Sequence, residues 1–320
     1  MTRAAHVLCM ANLNLVTNDS MMQTPNQKHT ALIGVASCWG AQDHRCALGP
    51  DTLRALQIEQ RLTRPGRTVA WQTIVRPQPD SGENTLDLIA DVCQRIATQV
   101  QPLVQAKQAF AVLGGDHSCA IGTWSGARAA LAEHDRLGLI WIDAHMDAHI
   151  PETSPSGAIH GMPLACLLGH GEKRLRSIAG LKPKLTPTDV VLVGVRSYEL
   201  GEATLLKMLG VKVYFMDEVN QRGLATVLTE AVAHVEHHCS HIGLTIDLDA
   251  IDPNDAPGVG SPARGGVDAN ELLQALKPIG ANRKLVGIEI TEFNPANDQD
   301  DRTAELTYQL LDSLLQGQPA

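Results

Sequence analysis

Trp141-Ile142-Asp143-Ala144-His145-Met146-Asp147-Ala148-His149 ends the apolar run 137–142 by setting carboxylates and imidazoles at alternate positions. In an extended backbone residues i, i+2 and i+4 point to the same side. Asp143, His145 and Asp147 are therefore expected to share a face, with the aliphatic run burying the strand behind them. The chemistry is expected where the strand stops.

Similar short runs recur outward from this stretch. Strands are predicted at 32–37, 68–75, 109–113, 137–142, 190–195, 211–216, 242–248 and 285–290. Between most of them the apolar spacing lengthens to a helical period, at 51–60, 83–105, 119–133, 199–209, 220–237, 270–276 and 303–315. Alternating strands and helices predict an α/β fold with one parallel sheet covered on both faces. No Pro/Gly-rich linker divides the chain, which predicts a single catalytic domain over 31–320 preceded by a loosely attached extension, residues 1–30.

Three more polar clusters stand at the carboxyl ends of predicted strands. They are Gly114-Gly115-Asp116-His117-Ser118, then Asp247-Leu248-Asp249 running into Asp252-Pro253, and Glu292-Phe293-Asn294-Pro295. Ligands of open α/β sheets bind outside these strand ends. Successive same-side residues on a strand lie roughly 6.6 Å apart, too far for one ion to take all three side chains of the first ladder. Two ions roughly 3.5–4 Å apart fit better. Asp247 and Asp249 supply a second ladder, and His117 a cap. Four carboxylates and two imidazoles without a thiolate favour Mn²⁺ over a structural zinc. The four aspartates offset two divalent ions, a bridging hydroxide leaves the core slightly negative, and Glu292 adds to it. Such a site attracts a cation and rejects phosphate. Asp116 and Asp252 are read as turn-fixing neighbours of ligands, and Gly114-Gly115 as close packing at a strand–helix turn.

These motifs, GGDHS, DAHMD, SGAIHGMP over 156–163, DLDAIDP over 247–253 and EFNP over 292–295, resemble those of the ureohydrolase family that contains arginases and agmatinases, and are most similar to arginases. The resemblance runs from about residue 32 to 315 and keeps the family's motif order. It implies a three-layer α/β/α fold with an eight-stranded, mostly parallel sheet, a homotrimer or homohexamer, and two Mn²⁺ per subunit. His117, Asp143, Asp147 and Asp247 would hold one ion, and His145, Asp143, Asp247 and Asp249 the other, with Asp143 and Asp247 bridging. A bridging hydroxide would attack a guanidinium carbon to release urea and an amine. Glu292 matches the family's guanidinium-holding glutamate, His160 its proton shuttle, and Asp147 is counted with them as essential to catalysis. Ser156, Ser261 and Glu199 match positions that meet the substrate's tail. The chain departs from arginases at His149 and Ala158, where asparagines are usual, and at Ser197 and Glu199, where aspartates are; His149 is read as a candidate substrate contact, with loop structure as the alternative. The tail therefore stays open between L-arginine and agmatine, a guanidino acid or formiminoglutamate. Competing readings are a one-zinc deacetylase on a related fold and a family member without catalysis.

The chain's composition narrows its partners. Its 320 residues are 44% hydrophobic and 19% charged, with a net charge of -9 and no basic run, so nucleic acid and acidic membranes are not expected as partners. Seven cysteines without a C-x-x-C pair predict neither a disulfide framework nor a thiolate zinc site and point to a reducing cytoplasm. No segment reaches transmembrane length. The implied partner is a small cationic guanidino compound.

Overall fold

The computed structural model describes residues 28–78 and 84–317. The predicted extension lies outside them except at its end: Lys28, His29 and Thr30 open the first strand, paired with Arg67, Thr68 and Val69, and so are not loosely attached. In chain order the elements are β1 (Lys28–Val35), α1 (Gly49–Ala55), α2 (Ile58–Leu62), β2 (Arg67–Val75), α3 (Thr85–Gln105), β3 (Ala109–Leu113), α4 (Cys119–Ala130), β4 (Leu137–Ile142), α5 (Pro163–Leu167), α6 (Lys173–Arg176), β5 (Val190–Val195), α7 (Leu200–Leu209), β6 (Lys212–Phe215), α8 (Met216–Arg222), α9 (Leu224–His238), β7 (His241–Asp247), α10 (Ala269–Gly280), β8 (Leu285–Thr291) and α11 (Arg302–Gln316).

The strands form one sheet in the order β2-β1-β3-β8-β7-β4-β5-β6, with every pairing parallel. Alternation along each strand feeds two cores. Ile140 and Ile142 of β4 join the core beneath α8 to α11, whereas Leu139 and Trp141 join the core beneath α3 and α4. Both faces are thus covered, which is why the central strands read as unbroken apolar runs. The order has a second consequence. β3 and β4 from one part of the chain and β7 and β8 from another are consecutive in the sheet, in the order β3-β8-β7-β4, so their four polar ends meet.

Two predicted helices divide. The stretch 220–237 breaks at Gly223, whose φ of 84° and ψ of 139° suit glycine, and α8 takes up Met216 from the predicted sixth strand. The stretch 51–60 breaks at Gln57, which sits in the left-handed region. The short helices α5 and α6 have no counterpart in the periodicity of the sequence. No helix among the described residues is long and apolar enough to cross a membrane.

Candidate metal centre and pocket

The turn from β3 to α4 carries the first ligand. A Cβ on Gly115 would lie 1.8 Å from the Ser37 carbonyl oxygen, so only glycine permits this approach, as the sequence suggested. Asp116 accepts from Gly40 N at 2.8 Å and Ser118 N at 2.9 Å, the turn-fixing role read for it. His117, held by its own N–H to Glu292 Oε1 at 2.9 Å, stacks on Trp141 with ring centroids 4.5 Å apart. Its Nε2 meets Thr245 Oγ1 at 3.0 Å. Its Nδ1 then faces three carboxylate oxygens, those of Asp147 at 2.9 Å and of Asp143 and Asp247 at 3.2 Å each.

The ladders are not extended strands. β4 ends at Ile142, and Asp143 Oδ1 accepts from His145 N at 2.7 Å, closing a tight turn; Asp147 has a φ of 51°. Likewise Asp247 Oδ1 accepts from Asp249 N at 2.8 Å, and a single 3₁₀ turn follows β7. The folded backbone brings Asp143 and Asp147 to the same atom of His117, which a 6.6 Å strand repeat could not do. Two groups of potential ligands still result, for this different reason. One is His117, Asp143, Asp147 and Asp247; the other is Asp143, His145 and Asp249. Asp143 is common to both, and Asp247 falls with the first.

This donor set fits divalent cations. His117 Nδ1 and Asp147 Oδ2 are buried without a hydrogen-bond partner among the described residues, an arrangement that costs free energy unless something else binds them. Burial and the Asp143 charge push the Asp147 carboxyl up to about 7. Burial and neighbouring carboxylates likewise raise Asp247, and burial raises Asp249. Burial would lower His117, but the three aspartates around it raise it well above the imidazole range. The cluster is short of positive charge, which bound cations would supply.

Beside it opens a cavity of about 160 Å³ lined by His145, Asp147, Asp247 and Asp249 at one end and by His149, Ser156, Ala158, His160, Glu199, Glu202 and Ser261 around the rest. Among the described residues, no lysine or arginine lines it. His149 is buried, with Nδ1 3.1 Å from Thr153 Oγ1 and Nε2 3.0 Å from Glu199 Oε2, so both ring nitrogens are taken by the protein. Glu199 is exposed at the rim, and the Ser156 hydroxyl accepts from Ala158 N at 3.2 Å. Ser197 is exposed and does not line the cavity. His160 lines the wall, its Nδ1 3.0 Å from Glu292 Oε1. Burial opposes a charge on His160, yet the Glu292 carboxylate holds it up at about 9. Glu292 itself is buried behind His160, with Cys46 Sγ 3.4 Å from its Oε2.

Several contributors are absent from the sequence reading. Trp141, read as core, is core and also donates from Nε1 to Asp143 Oδ2 at 2.9 Å. Glu202 accepts from Glu199 N at 3.0 Å, and burial pushes its carboxyl up to about 7. The Glu-x-x-Glu spacing at the start of a predicted helix is a capping signal that could have found it. Arg196 fastens the Asp249 loop by donating to the Asp249 carbonyl at 2.7 Å and the Ala250 carbonyl at 3.1 Å. Nothing in the local sequence marks that role.

The sequence model of the Arginase family matches residues 28–316. The arginase of Bacillus caldovelox is 38% identical over 296 residues, covering 90% of this chain and 98% of its own. A crystal structure of arginase from Bacillus subtilis superposes with a TM-score of 0.83 at 36% identity, covering 90% of this chain and 98% of that one. The Entamoeba histolytica arginase in complex with L-ornithine superposes at 0.82 with 29% identity, covering 91% and 99%.

Proposed function

The chain belongs to the arginase family, and from that premise we propose that it is a binuclear manganese hydrolase converting L-arginine and water to L-ornithine and urea. The observation that carries the reading is the convergence of three carboxylate oxygens on His117 Nδ1, buried and without a hydrogen bond among the described residues. His117, Asp143, Asp147 and Asp247 would hold one ion, and Asp143, His145 and Asp249 the other. When bound, two divalent ions supply a water acidified enough to attack a guanidinium carbon near neutral pH.

The chain's own residues then bind and move protons. The guanidinium enters a cavity whose walls carry aspartate and glutamate side chains beside the His145, His149 and His160 imidazoles and, among the described residues, no lysine or arginine. Glu292, directly behind, adds the negative charge that draws it in. Glu199 and Glu202 face the other end and accept the substrate's α-amino group, while the Ser156 and Ser261 hydroxyls serve its carboxylate. His149 holds Glu199 in place through the 3.0 Å contact. His160 has its Nδ1 engaged by Glu292, which leaves Nε2 to pass a proton to the departing amine. A homotrimer or homohexamer in the cytoplasm completes the reading.

The test is urea release from L-arginine by the purified chain supplied with Mn²⁺, beside agmatine, guanidinobutyrate, guanidinopropionate and, by its own product, formiminoglutamate. Arginine is expected to give the highest kcat/KM. Turnover of none would refute the hydrolase; a stronger response to another member would move the substrate and leave the chemistry. For His160→Ala, kcat should fall about 10²-fold with Mn²⁺ content unchanged, the range of a lost general acid. An unchanged kcat would remove His160 from proton transfer.

A further inference from the structure

β8 carries a carboxylate in the middle of its apolar run. Glu289 stands between buried Ile288 and Ile290 and is 0% exposed. A buried carboxylate ordinarily has a cation or a full set of donors, and each of its hydrogen-bond partners is neutral. Oε1 accepts from Thr123 Oγ1 at 2.6 Å, with Cys119 Sγ at 3.5 Å. Oε2 accepts from Trp124 Nε1 at 3.0 Å and Thr245 Oγ1 at 2.8 Å. α4 thus clamps one side, and Thr245, the cross-strand neighbour of Glu289 in β7, closes the other. The same Thr245 oxygen lies 3.0 Å from His117 Nε2.

A hydroxyl has one proton to give. Committed to Glu289, Thr245 offers His117 only lone pairs, so Nε2 keeps a ring proton and the nitrogen that gives up its proton to a cation is Nδ1. Nδ1 is the atom that faces Asp143, Asp147 and Asp247. Without the carboxylate the hydroxyl could turn, donate to Nε2 and favour the tautomer whose proton occupies the cation's place. We propose that Glu289 is a positioning residue that, through Thr245, orients the His117 ring as a metal ligand with Nδ1 turned to the carboxylates. This rests on the binuclear reading above.

The test is Mn²⁺ binding by the metal-stripped, full-length chain, read by competition with a chelator and by elemental analysis, independently of turnover. Thr245→Val keeps the shape and removes the acceptor. It is expected to weaken one of the two ions about 10–100-fold, the usual cost of removing such an outer partner, and to leave the other near wild type. Thr245→Ser should restore wild-type binding of both. Glu289→Gln keeps a carbonyl for Trp124 and Thr245 but loses the charge, and should weaken the same ion on the order of tenfold. Wild-type affinity for both ions in folded Thr245→Val would overturn the proposal, as would equal weakening of both ions that serine does not rescue. Should Thr245→Val fail to fold, Glu289→Gln decides, unchanged affinity being the contrary result. A wild-type chain that takes up no Mn²⁺ would sink the metal-centre reading and this proposal together; two ions held equally well by wild type and variants would sink this proposal alone.

Discussion

Asp143→Ala is expected to lower urea release by about 10³-fold or more, the equivalent of roughly 4 kcal/mol of transition-state stabilisation. Asp143 is the ligand common to both groups, fully buried between them, so its loss removes a carboxylate from each ion at once. Asp147 belongs only to the His117 group, and Asp147→Ala should spare the ion held by His145 and Asp249. Metal content per chain should therefore fall further in the first variant than in the second. Asp143→Asn separates charge from packing, because its amide oxygen can still accept from Trp141 Nε1. A folded Asp143→Asn within tenfold of wild-type activity would remove Asp143 from the centre.

The central strands were legible because each is buried on both faces and so appears as an uninterrupted apolar run, such as Leu137 to Ile142, whereas the edge strands β2 and β6 are only partly buried and showed through their β-branched and aromatic residues. Their order was not. Nothing local to β3 or β8 says that they are neighbours, although the polar ends of β3, β4, β7 and β8 imply that all four meet. Candidate ligands were legible as residue types at strand ends, but their geometry was not. Whether Asp143 continues a strand or folds back onto His145 N depends on a side chain competing with the ladder for a backbone donor. Period-two reasoning cannot see that competition, and it spread the ligands along a line that the chain in fact curls up. Thr245, Glu289 and Trp141 escaped for the opposite reason. They lie within apolar runs, where their hydrogen bonds to the centre look like core. A glutamate in the middle of the run 285–290 was the one available signal.

Glu292→Gln should keep both ions and lose the substrate. Glu292 makes no ligand group with the histidines and aspartates, so metal content is expected to match wild type. Its carboxylate instead collects protons. Oε1 accepts from His117 N and from His160 Nδ1, both within 3.0 Å, in a residue whose φ of 66° turns it out of β8. An amide of the same size can accept from both donors through its one carbonyl oxygen but brings no charge to a guanidinium and a weaker hold on a protonated His160. A hydrogen bond to a charged group is worth about 1.5–3 kcal/mol, so kcat/KM should drop roughly 10–150-fold, with most of the loss in KM. Initial rates across a wide arginine range, beside elemental analysis of the same sample, read both quantities. Loss of an ion would make Glu292 part of the metal cluster, and a kcat/KM near wild type would leave the guanidinium to the aspartates alone. The contrast with Asp143 is the useful one, since one variant empties a centre around a sound pocket and the other disarms the pocket around a sound centre.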